Sequence, residues 1–136
     1  MDVVLLVGRI LFVVLFISSG IGHIKNREML AGYGAQMGLP APNLLVPLTG
    51  IQLLLGSAMV LLGIWADAGA LLIALFLLPT AFVMHAYWKV EDPQARQGDQ
   101  IHFQKDIALL GAALIAFVLF QQYGNDLGLM ITGPLF

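Results

Sequence analysis

The chain contains no cysteine and very little charge. Without thiols it forms no disulfide, ligates no iron–sulfur cluster through its own side chains and performs no thiol chemistry. Only six Lys and Arg are spread over 136 residues and the formal charge is -2, which leaves no basic patch for nucleic acid. Charged residues make up 10% of the chain, against about a quarter in a soluble domain. That polar surface is too small to cover a globule in water. Apolar residues dominate instead, at 60%, with a mean hydropathy of +0.91.

Four apolar runs carry the architecture, at about residues 3–22, 44–64, 68–88 and 103–123. Each approaches the ~20 residues that cross ~30 Å of hydrocarbon as a helix. None shows the alternation of a membrane strand, and all are too long for one. The expectation is an all-α, antiparallel four-helix bundle embedded in a lipid bilayer, with residues 1–136 as one transmembrane domain. The first run has an acidic flank (Asp2), contains Arg9 and is followed by no Ala-x-Ala site, so it reads as a retained span rather than a cleaved signal.

The connections differ in kind. Trp65, Ala66 and Asp67 make a tight hairpin between the second and third spans. In the first loop, Arg27 to Met37 has helical spacing of Met29, Leu30, Tyr33 and Met37, and Gly38, Pro40 and Pro42 end it. This predicts a short interfacial helix. Lys89 to His102 reads as a polar loop, and Gly124 to Phe136 is too short to cross again. Lys25, Arg27, Lys89, Arg96 and Lys105 all fall at the ends facing the first and third loops, with no basic residue outside the membrane at the other end. Five against none predicts that these loops are cytoplasmic and both termini lie outside.

Polar side chains within the spans are the candidates for function. Arg9 either faces the bundle or snorkels along its own stem. Its offsets to Phe16, Gly20 and His23 put all four on one helix face, which favours the inward reading. Gln52, with Thr49 and Gly56 on its face, suits an interhelical hydrogen bond. Ser18, Gly22, Gly56, Ser57, Gly63, Gly111, Ala112 and Ala116 are small enough to permit close helix approach. Pro79 frees a carbonyl one turn earlier, and Thr80 is placed to bond back. The three histidines, His23, His85 and His102, all fall near the cytoplasmic level. His102 and Asp106 are i, i+4 neighbours, so the carboxylate is placed to orient the imidazole. Each histidine also has a simpler reading as an amphipathic interfacial residue, as do Tyr87 and Trp88.

Several of these residues recur in one known pattern. Arg9 precedes Ser19-Gly20; Gly38-Leu39-Pro40 precedes the second span, which carries Gln52 to Gly56. His85-Ala-Tyr-Trp88 and Phe103-Gln-Lys105-Asp106-Ile-Ala108-Leu109-Leu-Gly111 follow. On these motifs the chain resembles the DoxX family of small bacterial membrane proteins over nearly its whole length. The resemblance implies an inner-membrane, multi-pass subunit associated with a redox assembly, either quinone-linked or of the oxidative-stress kind. This sequence departs from the family in having Gln52 where many members carry Glu, and Asp106 where they carry Asn. A proton-carrying role for a second-span carboxylate is therefore not transferred.

The expected site comprises His85, Trp88, His102 and Lys105, with His23 and Asp106, around a quinone headgroup near the cytoplasmic interface. Quinones are apolar with two carbonyl acceptors, so such a site needs aromatic surface and one or two donors. Haem ranks below quinone, because histidines at helix ends would hold a macrocycle largely among the headgroups. No metal site is expected. The alternative is a non-catalytic structural or assembly subunit packed against a protein partner in a membrane complex or against its own copies. A transporter ranks last, since no repeat is visible. Whether the chain is a catalyst stays open; it reads as an oxidoreductase subunit without a complete active site of its own.

Overall fold

The computed structural model describes Met1–Phe136 and contains helices and turns only. Helix α1 spans Asp2–Lys25, α2 Arg27–Gln36, α3 Pro42–Leu62, α4 Ala66–Met84 and α5 Pro93–Tyr123, with one 3₁₀ turn at Tyr87–Lys89. α1, α3, α5 and the stretch Ala66–Lys89 are each long and apolar enough to cross a membrane. α3 is central: it packs on α1 and on α4, and α4 packs on α5. The short α2 lies against α3 at the end of the bundle that carries the first and third loops, here called the loop end. Both chain termini and the α3–α4 hairpin form the opposite, hairpin end.

Local chemistry sets the boundaries. α3 starts with Pro42 in its first turn and ends at Gly63 in the left-handed region, φ 67°, where the amides of Gly63 and Ile64 both return to the Met59 carbonyl. The next helix therefore begins only three residues later. α5 begins ten residues before the apolar run does. Asp92 caps it by accepting from the Ala95 amide at 2.8 Å, and Pro93 occupies the first turn. Its 31 residues span about 46 Å at the usual rise, about 16 Å more than the hydrocarbon needs. Residues expected to form a polar loop up to His102 are thus mostly helix. Conversely the continuous helix of the third span, α4, ends at Met84, and His85 and Ala86 form a break before the 3₁₀ turn, within the apolar stretch Ala66–Lys89.

Two glycine pairs let α3 approach its neighbours closely. A β-carbon on Gly20 would lie 2.9 Å from the Gly50 carbonyl oxygen, and one on Gly56 would lie 2.9 Å from the Gly69 carbonyl oxygen. Leu53, Val60, Ile73, Leu77, Val13 and Phe16 fill the space around these crossings. Gly56, Ser57 and Gly63 are buried as expected of packing contacts. Gly111, Ala112 and Ser18 are not: they are exposed, and a β-carbon on Gly111 or Gly22 would meet nothing within 4 Å. Gly111 lies on the outer surface of α5, with no other helix against it.

Arg9 faces inward, at 3% exposure. Its guanidinium donates to the Leu129 carbonyl at 2.8 Å and to the Met130 sulfur, both in the C-terminal tail. Asp67, fully buried, accepts from the Leu135 and Phe136 amides at 2.9–3.0 Å. The Ile131 and Thr132 amides donate to the Gly63 carbonyl. The tail is therefore folded back over the hairpin end and held by buried groups from α1 and α4. Buried charges at membrane depth need such partners.

Candidate functional site

A cavity of about 400 Å³ lies at the loop end of the bundle, with walls from every helix. α1 contributes Leu15, Phe16, Ser19 and His23, and α3 contributes Leu45, Val46, Thr49 and Gln52. α4 adds Leu75, Phe76, Pro79 and Thr80, and α5 adds Lys105, Asp106 and Leu109. Leu30 and Tyr33 of α2 line it too, so the interfacial helix acts as a roof as well as a surface element. Most of the lining is apolar, with a few polar groups that converge. That composition suits a lipophilic molecule with a polar head.

The polar groups are held in defined orientations. The Thr49 hydroxyl points its hydrogen back at the Leu45 and Val46 carbonyls, both at 2.9 Å. Its oxygen therefore accepts from His23 Nδ1, 3.0 Å away, which sets the Nδ1–H tautomer and leaves Nε2 as an acceptor. The His23 ring also meets the Phe76 ring edge to face at 5.7 Å. Gln52 donates across the helix interface to the Leu72 carbonyl at 2.8 Å, as its position in α3 predicts, and its amide oxygen stays free of that bond. The Thr80 hydroxyl donates to the Phe76 carbonyl at 2.7 Å beside Pro79.

His85 is the hub. It sits at the end of α4 with Nδ1 3.5 Å from Asp99 and Nε2 3.7 Å from Asp106. Asp99 and Asp106 are seven residues apart on α5, two turns along one face, so the imidazole is set between them. Lys105 Nζ lies 3.8 Å from Asp106 and 3.3 Å from His102 Nδ1. His102 stacks on His85 with centroids 5.0 Å apart.

The structure thus brings His23, His85, Lys105 and Asp106 to one cavity. It leaves His102 and Trp88 outside the lining. His102 pairs with Lys105 rather than with Asp106, although the two share a helix face. Trp88 does not continue the helix that ends before His85; it joins Phe82, Tyr87 and Phe103 in an aromatic cluster and is 45% exposed. The aromatic surface inside the cavity comes from Phe16, Phe76 and Tyr33. Asp99 falls within Lys89 to His102, whose polar composition predicts a loop and so gives it no helical register with Asp106. Once α5 is seen to start at its Asp92-Pro93 cap, its spacing to Asp106 is the signal that finds it.

The DoxX family model matches residues 4–86, from the first turn of α1 to the break after α4. The chain is 28% identical over 132 residues to the inner membrane protein YphA of Escherichia coli (strain K12), covering 97% of this chain and 84% of that protein. It is 31% identical over 133 residues to the inner membrane protein YqjF of the same organism, covering 98% and 86%. No solved structure matches the chain.

Proposed function

The chain belongs to the DoxX family, and on that premise we propose that it is an inner-membrane subunit of a redox assembly whose cavity receives a quinone headgroup. The observation that carries this reading is the single cavity in which a mainly apolar wall meets His23, Gln52, His85, Lys105 and Asp106. A quinone ring is a flat apolar body with an oxygen acceptor at each end. Phe16 and Phe76 supply surface for the ring, and His85 and Lys105 supply donors. Haem suits the residues less well. The two nearest histidines, His85 and His102, offer each other their faces at 5.0 Å, whereas axial ligation needs their nitrogens to converge on a metal.

The loop end is assigned to the cytoplasm, because the basic residues near helix ends outside the membrane gather there. The fact that both relatives are inner membrane proteins supports the membrane assigned. A reporter fused after Phe136 should then be active only if it works outside the cytoplasm. One inserted at Glu91, in the exposed break before α5, should behave oppositely. A cytoplasmic reporter signal from Phe136 would move the cavity to the outer face.

Decylubiquinone titrated into purified protein tests the binding itself. His85→Ala and Lys105→Met should each weaken it about tenfold, the loss of one hydrogen bond of ~1.4 kcal/mol. Trp88→Ala should change it less than about twofold, since Trp88 is off the cavity. Wild-type protein that binds no quinone analogue, but purifies with a stoichiometric protein partner, would leave the structural-subunit reading in its place.

A further inference from the structure

We propose that Asp99, His85 and Asp106 form a proton relay from the aqueous surface of the α5 extension into the cavity. This rests on the quinone reading above and adds to it the route by which protons reach the bound ring. Asp99 lies in the part of α5 that continues beyond the apolar run, and Asp106 lines the cavity. Seven residues separate them, about 10 Å along the helix axis, too far for direct transfer. His85, arriving from the end of α4, spans that gap with one nitrogen toward each carboxylate, at 3.5 and 3.7 Å.

An imidazole is the side chain suited to this position. It can take a proton at one nitrogen and release one from the other, so the charge crosses the ring without the ring moving far. Both separations are slightly beyond direct hydrogen bonding, a distance that a small rotation or one bridging water closes. The side chains grade from 21% exposed at Asp99 and His85 to 7% at Asp106, so the chain of groups runs inward from water.

No other wall offers an equivalent path. The titratable groups lining the cavity are His23 on α1, Tyr33 on α2, His85, and Lys105 and Asp106 on α5; α3 and α4 contribute none. His23 Nδ1 is committed to Thr49. His102 reaches Lys105 rather than Asp106, so it is a neighbour of the relay, not a link in it. Conversion of a quinone to a quinol takes up two electrons and two protons. The electrons come from an electron-donating redox partner. Asp106 passes a proton to a ligand oxygen; His85, neutral with its proton on Nε2, takes a proton from Asp99 at Nδ1 and, as imidazolium, releases the Nε2 proton to Asp106, and Asp99 is refilled by water. The ring is left with its proton on Nδ1 and turns over, exchanging its two nitrogens, before the second proton follows the same route.

The test uses the full-length protein carrying decylubiquinone on an electrode, which supplies both electrons. Asp99→Asn is expected to slow quinol formation about tenfold or more, with a larger solvent deuterium effect. Its decylubiquinone affinity should stay within about twofold of wild type, because Asp99 is not part of the cavity wall. Asp99→Glu, which restores a carboxylate, should recover most of the rate. An unchanged rate in Asp99→Asn, or a slow rate that merely follows lost affinity, overturns the relay while the binding site stands. Failure of the wild type to bind decylubiquinone overturns the quinone reading and the relay with it.

Discussion

Leucine at Gly56 is expected to abolish folded protein, whereas leucine at Gly111 is expected to leave the yield unchanged. At Gly56 the first added carbon would already sit 2.9 Å from the Gly69 carbonyl oxygen, 3.2 Å from Leu72 Cβ and 3.3 Å from Ile73 Cγ1. The reciprocal approach is as tight: a β-carbon on Gly69 would meet the Gly56 carbonyl oxygen at 2.8 Å and Met59 Cβ at 2.7 Å. Backbone atoms cannot step aside, so α3 and α4 would have to separate. That would pull apart the Gln52–Leu72 hydrogen bond and the contacts of Leu53, Val60, Ile73 and Leu77. Overpacking alone costs about 1–3 kcal/mol, and the lost contacts raise the expected cost to above ~3 kcal/mol. Between helices in lipid, close packing at small residues is a main source of association energy, so little remains to offset the loss. Gly111 faces open space on α5, and leucine there is the better helix former by roughly 0.8 kcal/mol. The measurement is the fraction of monodisperse protein in mild detergent and its midpoint for unfolding in added SDS. Equal tolerance at the two positions would mean that α3 and α4 do not cross at this glycine pair.

Much of the fold was legible because a bilayer leaves the chain few choices. Every backbone amide in lipid must be satisfied within its own segment, so four long apolar runs translate into four helices. The short helix over Arg27–Gln36 was legible for a different reason, the spacing of its apolar residues and the glycine and prolines that stop it. Hydropathy failed where water replaces lipid. The first ten residues of α5, Pro93 to His102, are polar, and nothing in their composition distinguishes a solvated loop from a solvated helix. The deciding signal was local, an aspartate cap followed by proline. The end of helix α4 departs in the opposite sense. Tyr87 and Trp88 are apolar enough to continue a helix, yet the backbone breaks at His85 and Ala86.

Those two boundary shifts account for most of what was not legible in the site. Residues on one helix can be placed by counting, which is why Thr49, Gln52 and Gly56 fell on the expected face of α3. Contacts between elements depend on where each element stops. Ending α4 at Met84 frees His85 to reach α5, and separates it from Trp88, with which it was expected to share a face. Starting α5 at Pro93 puts Asp99 in register with Asp106. The i, i+4 relation of His102 and Asp106 was read correctly as geometry, but Lys105 lies within reach of both and comes between them. Small size alone does not mark a contact on α5: Gly111 and Ala112 satisfy the rule for close approach, while that face of α5 meets no helix.

Replacing Arg9 by Met should release the C-terminal tail and cost several kcal/mol, more than any change on the outward face of α1. A snorkelling arginine would be exchangeable for an apolar residue at little cost. This one is buried among protein atoms, and its guanidinium bonds the Leu129 carbonyl and the Met130 sulfur. A hydrogen bond from a charged donor is worth about 1.5–3 kcal/mol, and the carbonyl left behind in a buried setting adds a penalty of similar size. Asp67 secures the far end of the same tail through three contacts to the Leu135 and Phe136 amides. Asp67→Asn keeps one acceptor oxygen and turns a donor toward amides that are themselves donors, so it should destabilise, and Asp67→Leu should do so further. Between these anchors the tail is pinned at Gly63, where a β-carbon would meet Met130 Cα at 2.7 Å. Because both charges hold one segment, their effects should not add: once either anchor is lost, removing the second should expose little more of the tail. Limited proteolysis with chymotrypsin reads this directly, with cleavage after Leu127, Leu129 or Met130 in Arg9→Met and Asp67→Leu, and protection of the same bonds in the wild type. A tail equally protected in Arg9→Met would show that Arg9 is not what holds it, and would return the residue to the membrane surface.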